Sequence, residues 1–198
     1  RIQRVLGPGE LAGTLTSEAA AALGLPAGIP VGPGAGDNAA AALGIGATPD
    51  ELVISLGTSG VAYAVSDVAT ADPSGEVCGF ADATGQFLPL VCMLNCTQIV
   101  DQTAQIIGLS LPDALDLAGT VPVGADGLWM IPYLGGERTP NLPNARAEIR
   151  GLSRGNYGSG SLLRAAGDGV AAGLAYCQEA LERQGIFKPG VTLVGGGA

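Results

Sequence analysis

The stretch "ELVISLGTSGVAYAVS", residues 51–66, decides the fold. Two apolar, β-rich runs, Leu52–Leu56 and Val61–Val65, flank Gly57, Thr58, Ser59 and Gly60. Runs of this length around a glycine-bounded turn predict an antiparallel hairpin with a four-residue loop. Its tip carries backbone N–H groups and two hydroxyls, and the glycines let a ligand approach the main chain. Such donors suit phosphate oxygens. Gly, Ser and Thr also favour plain turns, so the motif alone leaves both readings open.

Outward from the hairpin, α and β patterns alternate. Upstream, "LTSEAAAALGL" predicts a helix capped by Thr16 or Ser17, running to Leu23 and stopped by Gly24. "GIPVGPGAG" reads as a short strand entering a glycine turn, and residues 38–45 are helical by composition. Downstream, "GEVCGF" and "QFLPLVCML" are expected strands, and "NCTQIVDQTAQIIG" a helix opening at Asn95 or Thr97. "SLPDALDLAGTV" is a short helix, and "GLWMIPYL" a strand in which Trp129 and Tyr133 are expected core residues. The loop "GGERTPNLPNARAEIRG" follows, then a long helix from about Ser161 to Gln184, and the strand "VTLVGGGA" running into glycines. Alternation of this kind implies an α/β class. A strand and glycine turn normally lead into a further helix, so the chain is expected to be part of a longer one.

Composition removes several functions. The 198 residues are 47% hydrophobic but 4% aromatic, so the core must be built from Ala, Val, Leu and Ile. The formal net charge is −9 and Lys188 is the only lysine. Nucleic-acid binding needs a basic stripe, and an anionic membrane surface needs a basic cluster, so neither is an expected partner. Gly and Pro interrupt every apolar run before it could span a bilayer, and no secretory signal opens the sequence. There is no histidine, which excludes Ser-His-Asp and Cys-His catalysis within this chain. The single lysine lies in "FKPG", so there is no G-x-x-x-x-G-K phosphate loop. Cys78, Cys92, Cys96 and Cys177 lack zinc spacing, and no metal site is expected; reduced, buried cysteines in a cytoplasmic protein are the expectation.

Four places carry possible chemistry. The hairpin tip is the first, and the glycines that close "VTLVGGGA" are the second, because α/β sheets bind ligands at the C-terminal ends of their strands. The third is Asp37 in "GAGDNAAAALG", residues 34–44, placed behind a glycine turn at the mouth of a helix. The positive helix end favours its ionised form, yet an N-cap aspartate would look the same. A dinucleotide fingerprint does not fit, because Asp37 stands where the last glycine of G-x-G-x-x-G belongs. The fourth is Glu137 and Arg138 in "GGERTPNLP", where exposed loop charges are the simplest account.

In this order, "GAGDNAAAALG", "VISLGTSG", "IPYLGGERTPNLP", the long helix and "VTLVGGGA" resemble the FGGY family of carbohydrate kinases. "ADATGQFLPLVCMLNCTQIVD" is similar to the middle of its D-xylulose-phosphorylating members. The resemblance implies an actin-like, ribonuclease-H-like ATPase fold, with residues 1–30 ending a first domain and its linker and 31–198 forming an incomplete C-terminal, ATP-binding domain. It implies ATP and Mg²⁺ as cofactors and a sugar as partner, with a homodimer possible. Carried over by position, Asp37 matches the catalytic base and Asn38 a sugar contact. Gly57, Thr58 and Ser59 match the phosphate-binding tip, and Gly196 and Gly197 the turn beside the adenosine. Asn95 lies near a nucleotide-contacting position, and Glu137 and Arg138 fall in a signature of unassigned role. D-xylulose is the expected sugar, with ribulose, gluconate or glycerol as alternatives. The competing expectations are a non-enzymatic actin-like nucleotide-binding module and an α/β domain without ligand. The kinase reading requires the Asp37 carboxylate to look across a gap at phosphates held by the tip.

Overall fold

A computed structural model describes residues 4–198. The first strands, β1 (Gly13–Thr14) and β2 (Pro30–Val31), pair antiparallel around α1 (Ser17–Leu23). The Thr16 hydroxyl caps α1 by accepting from the Ala19 N–H, and Gly24, at φ 67°, ends it. The division expected at residue 30 therefore falls within a paired strand. Helix α2 (Asp37–Gly44) begins one residue earlier than its composition suggested, behind Gly36 as N-cap. Then come β3 (Glu51–Leu56), β4 (Gly60–Ala64), β5 (Cys78–Ala81), β6 (Phe87–Met93), α3 (Thr97–Ile107) and α4 (Leu111–Gly119). The chain continues through β7 (Trp129–Ile131), β8 (Glu148–Arg150), α5 (Ser159–Arg183) and β9 (Gly190–Val194).

Five strands form one sheet in the order β5-β6-β4-β3-β9. The hairpin is tighter than expected. Gly60 pairs with Leu56, so three residues, Gly57 to Ser59, make the turn. Gly60 belongs to the strand through its pairing, and a side chain there would meet Met93, 2.8 Å from an added Cβ. Strand β9 returns parallel to β3, with Leu52 opposite Val191 and Ser55 opposite Val194. That crossover puts the terminal glycines beside the hairpin turn.

Period-2 alternation in β3 feeds two cores. Leu52 and Ile54 face α3 and α5 together with Ala62, Val91 and Met93. Val53 faces the other way, with Tyr63, Val65, Leu88 and Leu90, beneath Ala39 and Ala42 of α2. Few aromatics are available, so close approach of small residues replaces them. A Cβ on Gly173 of α5 would lie 2.8 Å from Met93 Cε. Leu181 of α5 is fully buried, which stabilises the fold by about 2 kcal/mol.

Several expectations need correction. Trp129 is 47% exposed, not core, and the Arg150 guanidinium lies 5.3 Å from its ring centre. It sits on a short edge strand, and its partner across the ladder is Arg150 of β8. That strand lies inside the stretch read as loop. Tyr133 is half-buried. The long helix starts at Ser159, two residues before the expected position. All four cysteines are free, but only Cys96 and Cys177 are buried; Cys78 and Cys92 are half-buried on β5 and β6. Desolvation is the main reason the Cys177 thiol is pushed up to about 12.

Candidate functional site

The hairpin turn is held from behind by the start of α3. The Gly57 carbonyl accepts from the Thr97 N–H at 3.1 Å and from Thr97 Oγ1 at 2.9 Å. The Thr58 carbonyl accepts from the Cys96 N–H at 3.2 Å. Helix α3 has no side-chain cap at Cys96, so the turn's carbonyls satisfy its first donors. Among the described residues no protein acceptor takes the N–H groups of Thr58 or Ser59. The turn thus has its acceptors tied inward and donors left for an anion. Thr58 is exposed; Gly57 and Ser59 are half-buried.

The end of β9 closes on the same place. The Gly197 N–H donates to the Leu56 carbonyl at 3.0 Å. Gly195 has φ 100°, and a Cβ there would lie 2.6 Å from that same oxygen. Gly197 is equally confined, with Thr97 Cγ2 2.6 Å from an added Cβ. Gly57, Thr58, Gly196 and Gly197 all line one pocket of about 680 Å³. Its floor and far wall are apolar, with Val100, Leu111, Leu115, Val170 and Leu174, and Asp101 supplies a carboxylate. The lining thus combines backbone and hydroxyl groups with apolar side chains, as small-molecule pockets do. Ser59 belongs to the turn but does not line this pocket.

Asp37 lies elsewhere. It is the first residue of α2, on the opposite face of the sheet from α3 and α5. It is exposed, and its Oδ1 accepts from the Asn38 N–H at 2.9 Å and from Asn38 Nδ2 at 3.3 Å. With Asn38, Phe80 and Leu88 it lines a separate pocket of about 130 Å³. The described residues therefore do not bring Asp37 and the hairpin turn into one cavity. Neither pocket forms the gap that the kinase reading requires between the Asp37 carboxylate and the turn.

Glu137 shows what sequence reasoning missed. It is not a solvated loop charge; it is 1% exposed. Its Oε1 accepts from the N–H groups of Leu94 at 2.6 Å and Arg138 at 2.7 Å. Its Oε2 accepts from Asn95 Nδ2 at 2.8 Å and the Asn95 N–H at 3.3 Å. Asn95 is itself buried, and Nδ2 also donates to the Gly136 carbonyl at 2.8 Å. Its amide thus serves the interior rather than the pocket. Arg138 is exposed and donates from Nη2 to Cys78 Sγ at 3.2 Å. A "GGE" turn gives no local sign of such burial; three of the four donors come from more than 40 residues away.

Among the described residues no group of three or more His, Cys, Asp or Glu is placed to grip a cation. Among the described residues there is thus no preformed carboxylate cluster for the magnesium that the resemblance implies. No described helix is long and apolar enough to cross a membrane.

Comparison with known proteins places this architecture. Residues 52–198 match the model for the FGGY family of carbohydrate kinases, C-terminal domain. A xylulose kinase of Streptomyces coelicolor is 46% identical over 200 residues, covering the whole of this chain and 39% of that protein. The crystal structure of a xylulose kinase from Bifidobacterium adolescentis superposes with a TM-score of 0.83 at 40% identity, over 98% of this chain and 38% of the other. The gluconate kinase structure from Lactobacillus acidophilus gives 0.86 at 26% identity, over 98% and 40%. The α/β, actin-like architecture expected from the sequence is the one these relatives share. The chain belongs to the FGGY family of carbohydrate kinases, within which it corresponds to the C-terminal domain. It spans about two fifths of the length of the relatives it matches.

Proposed function

We propose that this chain supplies the nucleotide side of an ATP-dependent sugar kinase whose acceptor is D-xylulose. Residues 1–30 then act as the connection from a preceding domain, and 31–198 as most of the nucleotide-binding one. The observation that carries the nucleotide assignment is the single pocket uniting Gly57 and Thr58 with Gly196 and Gly197. The N–H groups and hydroxyls of Thr58 and Ser59 receive the terminal phosphates. The Gly196–Gly197 backbone lies against the ribose, and the apolar slot takes the adenine. Magnesium would add charge neutralisation at the phosphates when bound.

On the other side, Asp37 is the general base. Placed at the start of α2 and oriented by Asn38, its carboxylate takes the proton of the acceptor hydroxyl. As that oxygen bonds to the γ-phosphorus, the bond to the β–γ bridging oxygen breaks and ADP leaves. In phosphoryl transfer the protein mainly positions groups and stabilises charge. On this reading the acceptor lies within reach of both α2 and the turn, with Asn38 as a hydrogen-bonding partner.

The choice of D-xylulose rests on the relatives, since a gluconate kinase shares this fold equally well. The experiment is ADP release by the full-length protein with D-xylulose, ribulose, gluconate or glycerol. D-Xylulose should give the highest kcat/KM. Sugar-independent ATP hydrolysis without a phosphosugar would replace this reading with a nucleotide-binding module.

A further inference from the structure

The signature "GGER" is bonded to the hairpin turn through a continuous series of contacts. Glu137 receives the Leu94 and Asn95 N–H groups and the Asn95 side chain. The next two residues, Cys96 and Thr97, hold the carbonyls of Thr58 and Gly57. Four residues in a row thus face Glu137 at one end and the turn at the other. We infer that Glu137 is a positioning residue for phosphate binding: through the β6–α3 junction it fixes where Thr58 and Ser59 present their donors.

The physical case begins with cost. A carboxylate at 1% exposure is expensive unless its oxygens are saturated. Four donors converge on this one, and three of them are backbone N–H groups. An amide would turn N–H groups of its own against those donors, so this cradle fits an ionised carboxylate. The apolar surroundings of β6 would have anchored a loop with leucine or valine. A charge anchors it in a fixed direction, because its bonds are oriented. What that direction sets is the start of α3, and through it the carbonyls of the turn. Were Cys96 and Thr97 to shift, those carbonyls would be freed to face an incoming phosphate. Misplacement of about 1 Å at such a site costs on the order of a hundredfold in rate.

This inference rests on the reading of the turn as the phosphate holder. Its test uses the full-length protein with Glu137→Gln and, separately, Thr97→Val, which removes the Thr97 Oγ1 bond to Gly57. Each variant is checked for folding by circular dichroism, and KM is measured for ATP and for D-xylulose. Glu137→Gln should raise KM for ATP about tenfold and Thr97→Val about threefold. KM for D-xylulose should stay within about twofold of the parent in both. Parental KM for ATP in the variants, or a fall in kcat with both KM values unchanged, would reduce Glu137 to a structural residue and overturn the inference. If Glu137→Gln does not fold, Thr97→Val decides alone. If the parent phosphorylates no sugar, the functional reading fails. Calorimetric ADP binding then still decides the positioning role, with weaker binding by the variants supporting it and equal binding overturning it.

Discussion

Asp37 and Glu137 are two of the acids that directly follow a glycine in this chain, and the fold treats them in opposite ways. Asp37 stands behind Gly36 at the open end of a short helix, exposed, with both its bonds coming from the next residue. Glu137 stands behind Gly136, buried, with bonds from Leu94 and Asn95 of the β6–α3 junction and from the Arg138 N–H. Glycine-acid pairs look alike on paper. The difference lies in whether distant backbone converges on the carboxylate. An acid with a spare, solvated oxygen is available for proton transfer. An acid whose oxygens are both saturated by the protein acts as a brace.

The sharpest way to break this comparison is to neutralise each acid and watch different quantities. Asp37→Asn in the full-length protein should lower kcat on D-xylulose by about a thousandfold, the range for a lost general base. Its melting temperature should hold, because an exposed residue with local bonds contributes within about 0.5 kcal/mol. A near-parental kcat would remove Asp37 from catalysis. Glu137→Ala should do the reverse to stability. It strips the acceptor from the N–H groups of Leu94, Asn95 and Arg138. Orphaned buried donors should cost about 3 kcal/mol, read from urea unfolding. A loss below about 1 kcal/mol would show that water replaces the carboxylate without penalty.

Much of the architecture was legible because it is local. The Leu52–Leu56 and Val61–Val65 runs, the Gly24 stop and the long amphipathic α5 all declare themselves by period or by a cap. The hairpin turn and the terminal glycine turn were legible as turns for the same reason, and the parallel β3–β9 pairing brings them together. What was not legible depends on tertiary contact. Trp129 reads as core from its chemistry, yet an edge strand leaves it half in water beside Arg150. Strand β8 is three residues long, too short to show an alternation. Glu137 reads as a loop charge because three of its four donors are supplied by residues 94 and 95. The separation of Asp37 from the turn follows from which face α2 covers, and no motif encodes that face.

The glycines themselves offer a milder discrimination. Gly36 has φ −65°, and an added Cβ meets nothing within 4 Å. Gly136 has φ 82°, and the Pro143 backbone stands where its Cβ would go. Gly36→Ala should therefore cost no more than about 1 kcal/mol, the loss of a good N-cap residue. Gly136→Ala should cost at least about 2 kcal/mol, from a left-handed backbone and a backbone clash. Equal melting temperatures for the two variants would show that the "GGER" turn relaxes freely, and would weaken the picture of Glu137 as a fixed brace.

A third acid, Asp82, lies between the two extremes and gives the smallest effect. It is buried, at 9% exposure, but its bonds are local, from the hydroxyl and N–H of Thr84 and the N–H of Gln86. Burial pushes its pKa up; those hydrogen bonds outweigh burial and hold it below the usual carboxylate value. A folded value below the unfolded one makes the ionised form stabilising. The contribution is therefore present above the unfolded value of about 3.9 and is lost as pH falls through the folded value. Asp82→Asn should lower the melting temperature slightly near neutrality. The deficit relative to the parent should shrink as the pH is taken from about 5 to below about 3. A deficit that stayed constant over that range would assign the effect of Asp82 to its shape and local turn. Charge would then distinguish Glu137 from Asp37 without grading the acids between them.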